Sequence, residues 1–291
     1  MLTRLQIERL VTGALEEDAP WGDLTTTTLI PADATAHAAL VAREAGVFSG
    51  GEVFEAAFRL TDPRMRVGLR VADGATFAGG DTLAVVEGPA RAVLTAERIG
   101  LNFAQRMSGI ATLTARYVAE VAHTGARIAD TRKTTPLLRA FERHAVTSGG
   151  GHNHRHSLSD AVMVKDNHLA VLLRQGVSVT AALQGAIARL PHTTHVEVEV
   201  DRLDQLDAVL AAGVGTVMLD NFSLADLRTG VARIAGAAIV EASGGVDLAT
   251  VRAIAETGVD VISVGALTHS ARSLDLGLDI TVDAAATEGA D

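Results

Sequence analysis

The chain has 291 residues, enough for one large α/β domain or for two domains with separate cores. Its formal net charge is -10, which argues against a nucleic-acid partner, because such partners select a basic protein face. The absence of cysteine excludes disulfides, thiolate catalysis and cysteine-ligated metals. Aromatic residues make up only 3%, so we expect a core of aliphatic side chains.

The N-terminal residues predict an amphipathic helix over 3–17, because apolar side chains recur there at helical spacing. Charged residues interrupt the apolar positions, which is not typical of a signal peptide. No apolar run reaches membrane-spanning length. We therefore expect a cytoplasmic protein with no membrane partner.

The first third of the chain predicts a mixed α and β domain. Short strand-like segments begin near residue 36, and Asp-Gly, Gly-Gly and Gly-Pro turns separate them. A helical segment over 50–60 lies among these strands. A long helix is predicted over about 95–122, with one internal glycine, Gly109.

The rest of the chain predicts alternating strands and helices. The strands are expected at 126–130, 160–165, 195–200, 216–220, 238–243 and 261–266, and the helices between them at 177–190, 202–213, 223–236 and 247–258. Repeated βα units indicate a parallel sheet, which either closes into a barrel or stays open as a doubly wound sheet. We favour the barrel, because polar residues follow each strand and no strand opens a GxGxxG loop.

The predicted strand ends carry side chains suited to binding a phosphorylated anion. Cations come first, at 130–133 and Lys165, carboxylates follow at Glu199 and Asp220, and glycines come last, at 243–245 and Gly265. In parallel barrels the working residues lie at these ends, and the last two loops often bind phosphate. Adjacent carboxylates beside a phosphate are typical of a Mg²⁺ site. We expect only one of Glu197 and Glu199 to face the barrel interior.

Positive charge is concentrated in residues 130–168, which include Arg132, Lys133, Arg139, Arg143, Arg155 and Lys165. This pattern indicates a site for a polyanionic small molecule, and the alternative is that the side chains spread into solvent. Within this stretch, three histidines at residues 152, 154 and 156 resemble a zinc site if the segment is a strand. A pair of donors to a carboxylate, His154 and Arg155, is the favoured interpretation.

A set of motifs gives the chain a family resemblance. GDLTT is followed, in order, by TAER, SGIAT, DTRKTTP, NHR, VKDNH, VEVEV, LDNF, EASGG and VGALTHS. Together these motifs resemble quinolinate phosphoribosyltransferases, also called carboxylating nicotinate-nucleotide pyrophosphorylases. The resemblance covers nearly the whole chain. It implies an α/β fold, with an N-terminal α/β sandwich-type domain and a C-terminal incomplete α/β barrel.

The resemblance also implies a domain organisation. We expect the N-terminal domain and the long helix over residues 1–108, and the barrel with the active site over 109–275. Residues 276–291 are expected to form a C-terminal segment that could return to the N-terminal domain and end in a disordered tail. The family works as a homodimer at least, and a higher oligomer stays open.

The implied reaction joins quinolinate to phosphoribosyl pyrophosphate and gives nicotinate mononucleotide, pyrophosphate and CO2, with Mg²⁺ as cofactor. The implied catalytic residues are Lys133, Lys165, Glu199 and Asp220. The resemblance assigns quinolinate binding to Arg98, Arg132, Lys133, His154 and Arg155, with Arg98 reaching the neighbouring subunit's site. It assigns phosphoribosyl pyrophosphate binding to Lys165, Ser243, Gly244, Gly245, Gly265 and His269. Mg²⁺ would be held by Glu199 and Asp220, directly or through water.

Two positions depart from the family pattern. Leu137 stands where a glycine is common, and His144 stands where a tyrosine is common. Both fall near the predicted loop and helix after DTRKTTP, so they bear on packing. Three alternatives to the implied activity stay open: a related phosphoribosyltransferase with another substrate, a Schiff-base enzyme that uses Lys165, and a non-catalytic anion-binding protein.

Overall fold

The computed structural model of the protein describes residues 2–174 and 176–283. Within these residues the chain forms two compact units. The first comprises the residues up to Ala115, then Thr135–Gly150 and the residues from Ala271 onward, and the second comprises Arg116–Thr134 and Gly151–Ser270. The end of the expected disordered tail, residues 284–291, lies outside the described residues.

Helices and strands are numbered here in chain order. The first part contains α1 (Arg4–Asp18), α2 (Leu24–Leu29), β1 (Thr35–Ala42), β2 (Gly46–Val47), α3 (Gly51–Thr61), β3 (Arg66–Leu69), β4 (Thr76–Phe77), β5 (Thr82–Pro89) and α4 (Ala90–Val121). There follow β6 (Arg127–Ala129), α5 (Arg139–Ser148), β7 (Val162–Val164), α6 (Asp166–Arg174), α7 (Val179–Ile187) and β8 (Val196–Val200). The last part contains a 3₁₀ turn (Leu203–Gln205), α8 (Leu206–Leu210), β9 (Thr216–Asp220), α9 (Leu224–Ile234), β10 (Ile239–Ser243), α10 (Val251–Ala255), β11 (Val261–Ser263), α11 (Ala266–His269) and β12 (Leu276–Asp283).

The first unit is built on a four-stranded antiparallel sheet in the order β12-β1-β5-β3. Alternate residues of β1 are buried, as expected for a strand with one face against a core. Helix α1 packs on α3, which buries Phe54 and Phe58 with their rings 4.9 Å apart. Antiparallel pairing of β12 with β1 brings the C-terminal segment into this sheet, next to the N-terminal strands.

Helix α5 belongs to the first unit, although the sequence placed it in the barrel. Its Glu142 is buried and accepts hydrogen bonds from Arg106 Nη2 at 2.7 Å and from the Thr135 amide at 3.0 Å. Phe141 meets Phe103 edge to face at 5.3 Å. All these contacts lie within the first unit. They explain why the two units of the structure are not separated by the single boundary expected between residues 108 and 109.

The second unit is an incomplete barrel of six parallel strands in the order β6-β11-β10-β9-β8-β7. All six strands predicted from the sequence are present, and the predicted α/β fold is confirmed. Val198 and Leu219, on the faces of β8 and β9 opposite the one that bears Glu199 and Asp220, are fully buried. Beyond β6, a single parallel bridge between His152 and Ala129 continues the ladder in the described part of the chain. Across the described residues, every helix is too short or too polar to span a bilayer.

Candidate active site

The C-terminal ends of the barrel strands surround a cavity of ≈ 570 Å³ that lies within the second unit. Its lining includes many of the residues predicted from the sequence: Arg132, Lys133, His154, Arg155, Lys165, Glu199, Asp220, Ser243, Gly244 and Gly245. It also includes polar residues that were not predicted, namely Asn221, Glu241 and Ser263. The strand ends therefore bring the predicted cations and carboxylates to one opening.

Two guanidinium groups form a cationic wall of this cavity. Burial, and then the positive charge of Arg132, lower the pKa of Arg155 from its ordinary value. Arg155 Nη1 is fixed by the Ala161 carbonyl at 3.0 Å. Arg132 Nε is buried and has no hydrogen-bond partner among the described residues. Like charges held this close, with a buried donor still to satisfy, are the arrangement expected of an anion site.

A buried aspartate holds the segment that carries His154 and Arg155. Asp130 follows β6, is fully buried, and its Oδ1 accepts the His154 amide at 2.8 Å. Its own amide donates to the His152 carbonyl at 3.0 Å. The next amide, that of Arg155, donates to Nδ1 of the His154 ring at 2.7 Å. The segment is thus fixed by hydrogen bonds to the end of β6, without being a regular strand.

His154 lies between two buried carboxylates. Its Nε2 is 3.1 Å from Glu197 Oε2 and 3.4 Å from Glu241 Oε2, and the carboxylate side chains are only 6% and 4% exposed. Burial lowers the pKa of His154, but the two carboxylates outweigh this and raise it. Burial and the charge of Glu241 raise the pKa of Glu197, against the contact with His154. The raised pKa favours a hydrogen on each ring nitrogen, but Nδ1 accepts the Arg155 amide at 2.7 Å. This contact is the direct geometric observation, and it leaves the ring hydrogen on Nε2.

The expectation that only one of Glu197 and Glu199 faces the barrel interior was wrong. Residues two apart on a strand share a face, and on β8 Glu197 contacts the lining residue His154 while Glu199 itself lines the cavity. Strand alternation alone would have given this result.

Lys165 and Glu199 form an ion pair at the rim, with Lys165 Nζ 2.7 Å from Glu199 Oε2. On the neighbouring strand β9, Asp220 Oδ2 accepts a hydrogen bond from Asn221 Nδ2 at 2.7 Å. Both carboxylates face the cavity. Two carboxylates on adjacent strand ends are a donor set that fits Mg²⁺, which takes oxygen ligands and borrows the rest from substrate phosphate and water.

The glycine turns lie after the last barrel strands. Gly244 has φ 97° and Gly245 has φ 60°, left-handed conformations that favour glycine. A side chain at Gly244 would overlap the Asn221 side-chain oxygen, so the position requires glycine for space as well. At Gly265 an added Cβ would lie 3.0 Å from Lys133 Cδ and 3.1 Å from His269 Nε2. Gly265 therefore lets Lys133 and His269 approach each other.

Three of the residues that the resemblance assigned do not line the cavity, and neither do Arg139 and Arg143 of the cationic stretch, which lie in the first unit. Gly265 and His269 are close to the lining residue Lys133, but they are not themselves part of the lining. Arg98 is exposed on α4 in the first unit. Their assigned roles stay predictions.

The three histidines at residues 152, 154 and 156 do not form a group of metal-ligating atoms in the described part of the chain. There, the side chains that gather around His154 are Glu197 and Glu241, with candidate ligand atoms within 4.8 Å of one another. His152 forms a backbone bridge instead, and the His156 amide donates to Asp160 at 2.7 Å. The geometry does not support the three-histidine zinc interpretation.

Comparisons with known proteins cover nearly the whole chain. Family models for the N-terminal and C-terminal domains of quinolinate phosphoribosyl transferase match residues 23–108 and 110–279. A Mycobacterium leprae protein named nicotinate-nucleotide pyrophosphorylase (carboxylating) is 44% identical over 92% of this chain and 94% of its own. A Bacillus subtilis protein, named as a probable enzyme of the same kind, is 39% identical over 97% of this chain and 96% of its own. The crystal structure of NadC from Streptococcus pyogenes has a TM-score of 0.92 and 40% identity, over 98% of this chain and 99% of that chain.

Proposed function

The chain belongs to the quinolinate phosphoribosyl transferase family, and we propose that it transfers the phosphoribosyl group of phosphoribosyl pyrophosphate to quinolinate with loss of CO2. The products are nicotinate mononucleotide and pyrophosphate, so the reaction is a step of NAD biosynthesis. The observation that carries the proposal is the cavity at the strand ends that Arg132 and Arg155 line together with Glu199 and Asp220. This cavity provides a cationic wall for a dianion and oxygen ligands for a metal–pyrophosphate.

Quinolinate is a pyridine with two carboxylates, and planar guanidinium groups bind carboxylates in bidentate fashion. We assign this role to Arg132 and Arg155, which both line the cavity. In support, the buried Nε of Arg132 is a donor without a partner in the described residues. Lys133, on the same loop, lies between the two substrates in this arrangement. Binding of the dianion would offset the burial and the repulsion from Arg132, which together lower the pKa of Arg155.

Phosphoribosyl pyrophosphate would lie toward Lys165 and the glycine turns after β10 and β11. Glu199 and Asp220 would hold Mg²⁺, directly or through water, and the ion would neutralise charge on the pyrophosphate. Lys165 now pairs with Glu199, so this ion pair has to rearrange when both substrates are bound. Ser243 with Gly244 and Gly245, and Gly265 with His269, would contact the ribose 5-phosphate.

The reaction needs positioning and charge neutralisation more than acid–base catalysis. The quinolinate nitrogen forms a bond to the anomeric carbon while the bond from that carbon to the pyrophosphate oxygen breaks. The ring nitrogen then carries a positive charge. That charge stabilises the electron pair left on the adjacent ring carbon when its carboxylate leaves as CO2, and a proton from water completes nicotinate mononucleotide. The residues of the cavity hold the two anions in line and need not remove a proton.

We propose that the functional unit is a homodimer at least, in which Arg98 completes the neighbouring subunit's quinolinate site. Its support is that Arg98 is exposed on α4. A cytoplasmic location belongs to the same proposal.

Release of labelled CO2 from carboxyl-labelled quinolinate tests the activity directly. We expect release that requires both phosphoribosyl pyrophosphate and Mg²⁺. If quinolinate releases no labelled CO2 and nicotinate is not turned over either, the remaining interpretation is a non-catalytic anion-binding protein. Turnover of nicotinate with no release from quinolinate would indicate a related transferase with another substrate. Borohydride trapping of a carbonyl compound on Lys165 would indicate the Schiff-base alternative, in which the amine would first have to leave Glu199.

A further inference from the structure

A buried carboxylate pair lies beside the anion cavity and is not used by the proposed reaction. Glu197 and Glu241 both place an oxygen near His154 Nε2, at 3.1 and 3.4 Å. The other oxygen of each, Oε1, is buried without a hydrogen-bond partner among the described residues. Two buried carboxylates side by side repel each other and lose hydration. Such a pair needs a cation between its members, or a hydrogen that both can accept.

The ring nitrogens of His154 decide between a metal ion and a hydrogen. Ligation of a metal by Nε2 would require a neutral ring with its hydrogen on Nδ1. Nδ1 instead accepts the Arg155 amide at 2.7 Å, so it carries no hydrogen. The ring hydrogen is therefore on Nε2 and points at both carboxylates. The cluster is an acceptor pair for one N–H group and not a metal site.

The same ring links the carboxylates to the cationic wall. Nε2–H contacts Glu241, Nδ1 accepts the amide of Arg155, and the Arg155 side chain lines the cavity. A rotated ring would leave the Arg155 amide without this acceptor. The position of the Arg155 main chain thus depends on which way the His154 ring faces, and the buried carboxylates determine that.

We propose that Glu241 is a positioning residue for quinolinate binding: by accepting His154 Nε2–H together with Glu197, it orients the ring that holds Arg155 at the cavity wall. The proposal rests on the assignment of quinolinate to this cavity. The proposal and simple electrostatics predict opposite effects of removing Glu241. A buried negative charge near an anion site weakens anion binding by repulsion. Removing Glu241 improves quinolinate binding if its charge alone matters, and impairs binding if orientation matters.

The kinetic test compares Glu241→Ala with Glu241→Gln. We expect Glu241→Ala to raise the quinolinate KM about tenfold or more, the usual effect of a lost hydrogen bond to a charged group. The KM for phosphoribosyl pyrophosphate should change less than about twofold, an effect well below one hydrogen bond. Glu241→Gln keeps an acceptor oxygen of the same reach, so it should restore most of the quinolinate affinity. An unchanged or lower quinolinate KM in Glu241→Ala would overturn the proposal.

The matched control is Glu256→Ala. Glu256 also accepts from a histidine, His123, at 3.0 Å, but in an exposed pair. This variant should keep both KM values. Equal losses in Glu256→Ala and Glu241→Ala would also overturn the proposal, because they would show a general effect of removing a histidine–carboxylate contact.

Long-range ¹H–¹⁵N spectra of ¹⁵N-histidine-labelled protein test the ring without any turnover, with His154→Gln used for assignment. The wild type should show His154 with its hydrogen on Nε2 and an unprotonated Nδ1, and Glu241→Ala should change this pattern. A hydrogen on Nδ1 in the wild type would overturn the proposal. If the wild type releases no CO2 from quinolinate but shows the expected ring, the proposed function fails and the structural inference stands.

Discussion

Lys165 Nζ lies 2.7 Å from Glu199 Oε2, at the ends of the neighbouring strands β7 and β8. The lysine side chain is 47% exposed and the carboxylate 14% exposed, so the contact is at the surface of the cavity. A partly exposed pair of this kind contributes little to stability. Its importance is in function, because a cation that neutralises Glu199 is already present at the place where we propose Mg²⁺ to bind.

Glu199→Gln should weaken the response to Mg²⁺. The amide keeps the shape of the side chain and removes the charge that a divalent ion needs. We expect the Mg²⁺ concentration for half-maximal activity to rise roughly tenfold or more, as is usual when a metal site loses a fixing group. Titration of activity with Mg²⁺ at saturating substrates measures this. Glu120→Gln, in an exposed pair with Arg252, is the control. An unchanged Mg²⁺ dependence would remove Glu199 from the metal site.

Arg132→Ala should raise the quinolinate KM about 10- to 100-fold, or abolish turnover, without unfolding the protein. The substitution removes one donor to the dianion and also relieves repulsion with Arg155. Folding should therefore be kept, with a thermal midpoint close to that of the wild type. The control is Arg252→Ala, which removes an exposed ion pair with Glu120 and should keep normal kinetics. Normal quinolinate affinity in Arg132→Ala would contradict the proposed role.

Leu137→Gly should stabilise the protein. Leu137 has φ 68°, a left-handed conformation that costs a residue with a Cβ about 1–2 kcal/mol. Its side chain is 83% exposed, so little buried apolar surface is lost. The greater freedom of glycine in the unfolded chain offsets part of the gain. We expect a net gain of about 0.5–1 kcal/mol in urea unfolding. Leu137→Ala keeps the Cβ and should show no such gain, and equal effects of the two would contradict the explanation.

Asp73→Asn should lower stability at neutral pH and flatten its dependence on acid. Burial raises the pKa of Asp73, but hydrogen bonds from His144 and from the Gly50 and Gly51 amides outweigh this and lower it. A lowered pKa in the folded state means a stabilisation that is present above the unfolded value, about 4, and is lost as the pH falls through the folded value.

Urea unfolding of Asp73→Asn measures this. We expect a loss of about 1–3 kcal/mol at pH 7, and a smaller difference from the wild type below about pH 4. Asp33→Asn, at an exposed position of the same unit, is the control. A constant difference between Asp73→Asn and the wild type at all pH values would contradict the proposed linkage.

The sequence predicted the fold and much of the cavity lining because both follow from local periodicity and motifs. The six barrel strands and their polar ends are of this kind. Glu241 was missed because its partner, His154, is far away in the chain. Nothing near a carboxylate inside an apolar strand indicates such a partner. The packing of α5 in the first unit has no local sign in the sequence, because it depends on the burial of Glu142 against Arg106, a contact between separate helices. The left-handed backbone of Leu137, where the family commonly has glycine, was also not predicted from the sequence.

The pairing of β12 with β1 has a consequence for folding. β1 is an inner strand of the first unit only because β12 covers its outer edge, and β12 is made after all six strands of the barrel. During synthesis, the sheet begun by the earliest residues is left with an open edge until nearly the whole polypeptide has emerged. The unit that starts first is thus finished last, and a chain cut after residue 275 would expose an aggregation-prone border that the intact protein hides.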